Sequence, residues 1–299
     1  MARYPHPIPY GWFQVCWPDE VSDDGSYRTF NLGTTLTVTR RGDGWTTTDS
    51  DGRTWPTLVR NGLVMMWWHP RRAEPCFEVP ELPEFAGHPD FTSPIRQHHP
   101  RIRALWQELG ETAVDVAHVQ AHLIEFGLSM DDTGAVATGV GRGRAPEVVD
   151  SSWDGPHGWM RLAQPFPTPH GPVDGHVDTD SYGPGLSITW FTGLLDTGLL
   201  GCNIPIDEET TEIRFTYVVR TAGEREVSDR LAQAFVGEVD RLAVDDLDIW
   251  EHKAYLTRPA LAVGDGPIMS FRRWAEQFYV TPEEADGALA VGAGTSRPG

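Results

Sequence analysis

LSITWFTGLL (186–195) and EIRFTYVVR (212–220), followed by a helical pattern over 226–251, decide how this chain folds. β-Branched and aromatic residues dominate both short runs, which read as strands. Residues 128–222 are strand-like as a whole. Beyond them Leu231, Phe235, Val239, Leu242 and Val244 form the inner stripe of a long helix. Strands followed by such a helix predict an α+β domain in which a curved antiparallel sheet wraps the helix and leaves a pocket. The chain has 12 tryptophans, several in this half, so the pocket is expected to be indole-rich. It would suit a bulky apolar ligand with a few polar anchors. For any single tryptophan, core filling is the plainer account.

Working outward, residues 1 to about 85 read as short strands. GWFQVCW (11–17), TFNLGTTLTVTRR (29–41), GWTTTDSDGRTW (44–55) and GLVMMWWH (62–69) are punctuated by DDG, GDG, DSDG and NG turns. The proline-rich EPCFEVPELPEFAGHPDF (74–91) predicts an extended connector. From about 98 the period changes. Pro100 is placed for the first turn of a helix running to Gly127, with Ile102, Leu105, Trp106, Leu109, Ala113 and Val116 on one face. The expected organisation is an all-β unit over 1–90, an α+β unit over 91–285 and a disordered tail over 286–299.

Bulk properties exclude several function classes. A net charge of −19 argues against nucleic acid or an anionic membrane as partner. No apolar run is long enough for a membrane span, and MARYPHPIPYGWF lacks the form of a targeting signal. Lys253 is the only lysine, which removes most Schiff-base schemes. Cys16, Cys76 and Cys202 are few, odd in number and far apart; a reducing cytoplasm is the simple reading.

Chemistry concentrates in ETAVDVAHVQAHLIEFG (111–127). His118 and His122 are four apart, so on a helix they share a face and can hold one metal ion. Asp115 lies three residues before the first. The bland account is that both histidines are polar groups paired with Asp115 or backbone. Other candidates carry less. His98 and His99 fall on the approach to the helix, and hairpin-turn chemistry explains the segment around His176. The pair Asp245 and Asp246 reads as a solvated helix end before an acid–base couple, and Gly183-Pro184-Gly185 as a turn.

Several segments together resemble the Rieske-type non-haem iron oxygenase α subunits, especially the ketosteroid-hydroxylase-like group. These are PYGWFQVCWPDEV (9–21), RNGLVMMWWHPRRAEPCFEVPELPEF (60–85), HHPRIRALWQELGETAVDVAH (98–118), the sheet segment 181–217 and DDLDIWEHKAYLTRPALAVGDGPIMSFRRWAEQFYV (245–280). The resemblance covers nearly the whole chain. It implies a reduced Rieske-like all-β N-terminal domain and a helix-grip (START/SRPBCC-like) domain behind it. Two departures accompany it. A Rieske cluster needs Cys-x-His and Cys-x-x-His, yet the chain runs from VTRRGDGWTTTDSDGRTW (38–55) straight into the closing strand, so no [2Fe-2S] cluster is expected. The family's mononuclear iron pattern, Asn-x-x-Asp-x-x-His-x-x-x-x-His plus a distant Asp, is met by Asp115, His118 and Asp246. Thr112 stands at the Asn position and Leu123 at the second His, with His122 one residue early.

The resemblance leaves three readings open. The first is a redox-neutral cyclase or isomerase of natural-product metabolism, with Asp115, His118, His122 and Asp246 as catalytic candidates. The second is a mononuclear iron oxygenase with Fe(II) on His118, His122 and Asp246, fed electrons from outside. The third is a non-catalytic subunit beside an intact paralogue. Two departures in one electron-to-oxygen route favour the first. The expected ligand is a polyketide, steroid or terpenoid, and the assembly a homotrimer or a hetero-oligomer with an intact oxygenase subunit.

Overall fold

The structure, a computed structural model, describes residues 8–23, 25–119, 129–130, 136–137, 146–166, 172–223 and 225–280. The predicted N-terminal strands are present. β1 (Gly11–Cys16), β2 (Ser26–Asn31), β3 (Thr34–Arg41), β4 (Gly44–Asp49), β5 (Thr54–Trp55), β6 (Thr57–Arg60) and β7 (Leu63–Trp68) form two antiparallel sheets, ordered β1-β7-β6 and β2-β3-β4-β5. Asn61 and Gly62 join β6 to β7 with φ of 56° and 72°, the left-handed pair that an Asn-Gly hairpin turn requires. Asn61 also holds the connector that follows. Its Nδ2 donates to the Pro80 carbonyl at 2.9 Å, and its Oδ1 accepts from the Leu82 amide at 2.8 Å. The connector is otherwise irregular apart from a 3-10 turn at Pro83–Ala86.

Next come β8 (Ile95–Ile102), the two-residue strands β9 (Ser129–Met130) and β10 (Val136–Ala137), which pair with each other, and β11 (Glu147–Asp154). β12 (His157–Ala163), β13 (His176–Tyr182), β14 (Ser187–Thr192), β15 (Thr197–Pro205) and β16 (Thr211–Val219) complete the strands. Seven of them make one antiparallel sheet, ordered β11-β12-β13-β14-β15-β16-β8. Among the described residues the helices are α1 (Trp106–Thr112), α2 (Arg225–His252) and α3 (Ile268–Glu276), and residues 116–119 are also helical.

The helix expected from Pro100 to Gly127 is corrected. Residues 95–102 form the edge strand β8, which pairs with β16 across a register shift between Thr211 and Ile213. Pro100 sits in that edge strand, where a missing N–H costs least. Helix α1 spans only 106–112, and residues 120–128 lie outside the described residues. The long C-terminal helix agrees with its expectation within a residue at each end. Of the inner stripe expected, Phe235 and Val239 do line the cavity, but Leu231 and Val244 are exposed, and Ala232, Val236, Asp246 and Trp250 are buried. The expected tail, 286–299, falls outside the described residues.

The large sheet is covered on both faces. On β14, β15 and β16 the residues Ile188, Leu200, Cys202, Ile204 and Val218 pack with Trp12, Phe13, Leu63, Met66 and Trp67 of the N-terminal sheets. The alternate residues face a cavity beneath α2. Gly185, in the turn between β13 and β14, marks how close the two layers come: a Cβ there would lie 2.1 Å from the Trp12 carbonyl oxygen. A charged clamp joins the same layers. Arg214 of β16 donates to Glu212 at 2.5 Å, to Glu20 at 2.5 Å and to the Tyr27 hydroxyl at 2.9 Å, with its guanidinium 4.6 Å from the Trp17 ring centre. Glu212 also contacts His98 at 2.9 Å and Asn31 at 3.1 Å.

Replacing Arg214 by Met leaves the buried Glu212 carboxylate with only His98 and Asn31 as partners, and urea unfolding at pH 7 should show a loss of about 3 kcal/mol. Burial pushes the Glu212 carboxyl up, but His98 and Arg214 outweigh it and hold the group below its ordinary 4.5. A carboxyl depressed in the folded state stabilises above its ordinary value, and that contribution is lost as pH falls through the folded value. The gap between the two proteins should therefore narrow below pH 4.5.

Candidate functional site

A cavity of about 270 Å³ lies between the inward face of the sheet, α1, α2 and α3. That is near the lower end for small-molecule pockets, roughly 300 Å³. Trp106, Trp250 and Trp274 line it, so three indoles face the ligand space as the sequence suggested. Trp12, Trp17, Trp67 and Trp68 instead fill the N-terminal core. Much of the wall is hydrocarbon. Its polar part sits on adjacent strands: Thr179 and Ser181 of β13 face Thr189 and Ser187 of β14 in direct register, and the two threonine hydroxyls are 3.2 Å apart.

The helical course breaks just before His118. Helix α1 ends at Thr112, and a second helical turn begins at 116. Asp115 caps that turn. Its Oδ1 accepts the His118 amide at 3.1 Å and its carbonyl accepts the Val119 amide at 3.2 Å. From the other side Trp250 of α2 donates its indole N–H to the Thr112 hydroxyl at 3.1 Å. Trp250 follows Asp246 by four residues, so the same bond sets the rotation of the helix face that bears Asp246. The result brings His118 Nε2 to 3.5 Å from Asp246 Oδ2, with the two side chains 22% and 8% exposed. Both line the cavity. The contact is of ion-pair length, longer than a well-formed hydrogen bond.

A buried pair holds α1 against α3 beside this site. Arg272 donates to Glu111 through Nε at 2.8 Å and Nη2 at 3.0 Å, and the lone lysine, Lys253, lies 3.4 Å from the same carboxylate.

Of the sequence candidates, Asp115, His118 and Asp246 are thus brought together. His122 and Leu123 lie outside the described residues. His98 pairs with Glu212, and His99 with Asp240 at 3.0 Å. His176 is exposed at the start of β13, and Asp245 is exposed and paired with Arg241 at 2.9 Å. Gly183 to Gly185 form the expected turn. Among the described residues no three His, Cys, Asp or Glu side chains are gathered closely enough to hold a metal ion. His118 and Asp246 are nonetheless donors of the kinds that non-haem iron takes, an imidazole and a carboxylate. Cys16 and Cys202 are buried, and burial pushes both thiols up to about 12. Cys76 is exposed.

Sequence reasoning missed the sheet side of the cavity: Thr179, Ser187, Thr189, Asn203 and Tyr217. The signal was there in the period-two alternation of VDTDS (177–181) and SITWF (187–191), where every second residue shares a face.

An antiparallel sheet and a long helix thus close around a largely apolar cavity, with a histidine and a carboxylate meeting at its wall. Residues 66–279 match the family model for the 3-ketosteroid 9alpha-hydroxylase C-terminal domain, and the chain belongs to that family. This bears out the family resemblance. The chain is 27% identical over 249 residues to the oxygenase component of 3-ketosteroid-9-alpha-monooxygenase from Mycobacterium tuberculosis, covering 76% of this chain and 58% of that protein. It is 26% identical over 240 residues to cholesterol 7-desaturase of Caenorhabditis elegans, covering 76% and 54%. The chain therefore spans little more than half the length of these relatives. In fold it is similar to dicamba monooxygenase bound to 3,6 dichlorosalicylic acid, with a TM-score of 0.66 at 14% identity over 95% of this chain and 98% of that one. Among the described residues no helix is long and apolar enough to cross a membrane.

Two measurements test this geometry. Asp115→Ala removes the cap and should lower stability by about 1 kcal/mol, whereas Asp115→Asn, which caps equally well, should restore it; thermal melts of both variants decide. A thiol reagent should label exposed Cys76 in the native protein, and Cys16 and Cys202 only after denaturation, because both are buried and held as thiols.

Proposed function

We propose that this chain is an enzyme acting on a neutral, bulky apolar small molecule by redox-neutral proton transfer, as an isomerase or cyclase does, with His118 and Asp246 as its acid–base pair. The observation that carries the reading is their meeting at the wall of an apolar cavity. No lysine or arginine is among the described residues that line it. In such surroundings an imidazole that moves a proton, oriented by a carboxylate, contributes roughly 10²–10⁴-fold to rate. His118 would take a proton from carbon or return one; Asp246 would orient the ring, and Asp115 would position His118 through the helix cap. The apolar wall would hold a reactive conformer and exclude water. A steroid-type substrate is favoured by the relatives, whose names are those of 3-ketosteroid and cholesterol enzymes.

The same reading assigns no [2Fe-2S] cluster to the N-terminal sheets. Residues 17–68 contain neither cysteine nor histidine. Strands β3 and β4 are joined by Gly42 and Asp43 alone, which leaves no loop for cluster ligands.

A second reading has its own support, since His118 and Asp246 are also two donors of a facial triad. His122 would be the third, with Fe(II) supplying oxygen activation when bound and a partner protein supplying electrons.

One experiment separates the two. Protein from iron-supplemented culture is assayed for metal. A 5-ene-3-ketosteroid is then incubated with it in D₂O under argon with a chelator present. The proposal expects the double bond to move into conjugation with the ketone, the proton leaving C4 and deuterium arriving at C6, at a rate that falls at least about 100-fold in His118→Ala. Iron near one per chain, lost in the variant, together with no anaerobic isomerisation, would overturn it in favour of the oxygenase.

A further inference from the structure

Strand β16 turns Ile213, Phe215 and Tyr217 toward the cavity, and two of the three are plain hydrocarbon. Tyr217 is 0% exposed, and its hydroxyl is buried without a hydrogen-bond partner. Among the described residues that line the cavity, it is the only one with a buried polar side-chain atom in that state. Its polar neighbours are engaged: Thr179 with Thr189, Ser187 with the Gly201 carbonyl, Thr112 with Trp250. A buried phenol with no acceptor has lost the hydrogen bond that water gave it in the unfolded chain, and native structures rarely leave such a group uncompensated.

Its position is informative. Asp240 of α2 acts on Tyr217 electrostatically, and His99 Nε2 holds that carboxylate at 3.0 Å. Ile213, four residues back along β16, packs with Trp250, one helical turn from Asp246, so Tyr217 lies roughly 13 Å along the strand from that contact at about 3.3 Å per residue. The cavity wall therefore has a hydroxyl donor at one station and the His118–Asp246 pair at another, separated by the span of a fused-ring skeleton and not of a single ring.

We propose that Tyr217 is a specificity-determining residue, whose hydroxyl donates to a ketone or hydroxyl oxygen at one end of a neutral polycyclic ligand while the other end meets His118 and Asp246. Desolvation by burial, with the nearby Asp240 carboxylate, pushes the phenol well above its ordinary value, so it stays protonated and serves as a donor. With no lysine or arginine among the described lining residues, the oxygen that accepts from it belongs to a neutral group. The inference rests on the proposed use of the cavity for a steroid-sized ligand.

The test is quenching of intrinsic tryptophan fluorescence by three probes, 5α-androstane, 5α-androstan-3-one and 5α-androstan-17-one, on the full chain and on Tyr217→Phe. In the native protein one ketone should bind about five- to tenfold more tightly than the hydrocarbon, the advantage of one neutral hydrogen bond. In Tyr217→Phe that advantage should vanish while androstane binds unchanged. The unliganded variant should melt no lower than the native protein, because it loses a hydroxyl that bonds to nothing in the fold. A ketone advantage of equal size in both proteins, or a clear fall in the variant's melting temperature, overturns the assignment alone. Failure of all three probes to bind the native protein overturns the steroid reading of the cavity, and this assignment with it.

Discussion

The period-two register of β14, β15 and β16 is the constraint on which the rest of the molecule depends. Each strand is covered on both faces, by the N-terminal sheets on one and by the cavity and its helices on the other, so neither face can be surrendered to solvent. A slip of one residue would turn Ile188, Leu200 and Val218 into the cavity and push Thr189, Leu199 and Tyr217 into the N-terminal core. The antiparallel pairing across five consecutive strand partnerships makes such a slip collective and therefore costly. Leu32 shows how closely the layers are tied. Its φ of 57° is unusual for a branched residue, and its amide donates to the Pro205 carbonyl at the end of β15 at 2.7 Å.

Around that sheet, the site is assembled by contacts that are not themselves chemical. The bidentate Glu111–Arg272 pair fixes α1 to α3, and the Trp250–Thr112 bond fixes α2 to the end of α1. Between them the chain turns at residues 113–115, and Asp115 starts a new helical turn with His118 at its third position. Helix α2, 28 residues long, then presents Phe235, Val239, Ala243, Asp246 and Trp250 along one side. The carboxylate arrives as one member of a packed helical stripe, held by its neighbours.

The cavity that results has three kinds of wall: indole and phenyl rings from the helices, a hydroxyl-bearing patch from β13 and β14, and the histidine–carboxylate pair. Membership of the 3-ketosteroid 9alpha-hydroxylase C-terminal domain family accords with that shape. The chemistry at the pair belongs to the side chains present in this chain, where Thr112 serves as an acceptor for Trp250 and Asp115 as a helix cap.

Much of this could be read from local pattern. Turn residues such as Asn61-Gly62 announced their hairpin because few residues accept a left-handed backbone, and 226–251 announced a helix because an apolar stripe at period 3.6 has few other uses. Asp115, His118 and Asp246 were legible as a set only through family resemblance, since 128 residues separate His118 from Asp246 along the chain. Three things were decided by tertiary structure alone. Pro100 lies in a strand because β16 offers it an edge position, against the local preference for a helix start. The inner face of α2 is set by what β16 and α1 present to it, so Leu231 lies outside and Ala232 inside. The polar wall of the cavity, Tyr217 included, follows from which face of a doubly buried sheet each residue occupies. Alternation shows that two faces exist, but only packing against the N-terminal layer determines which of them looks inward.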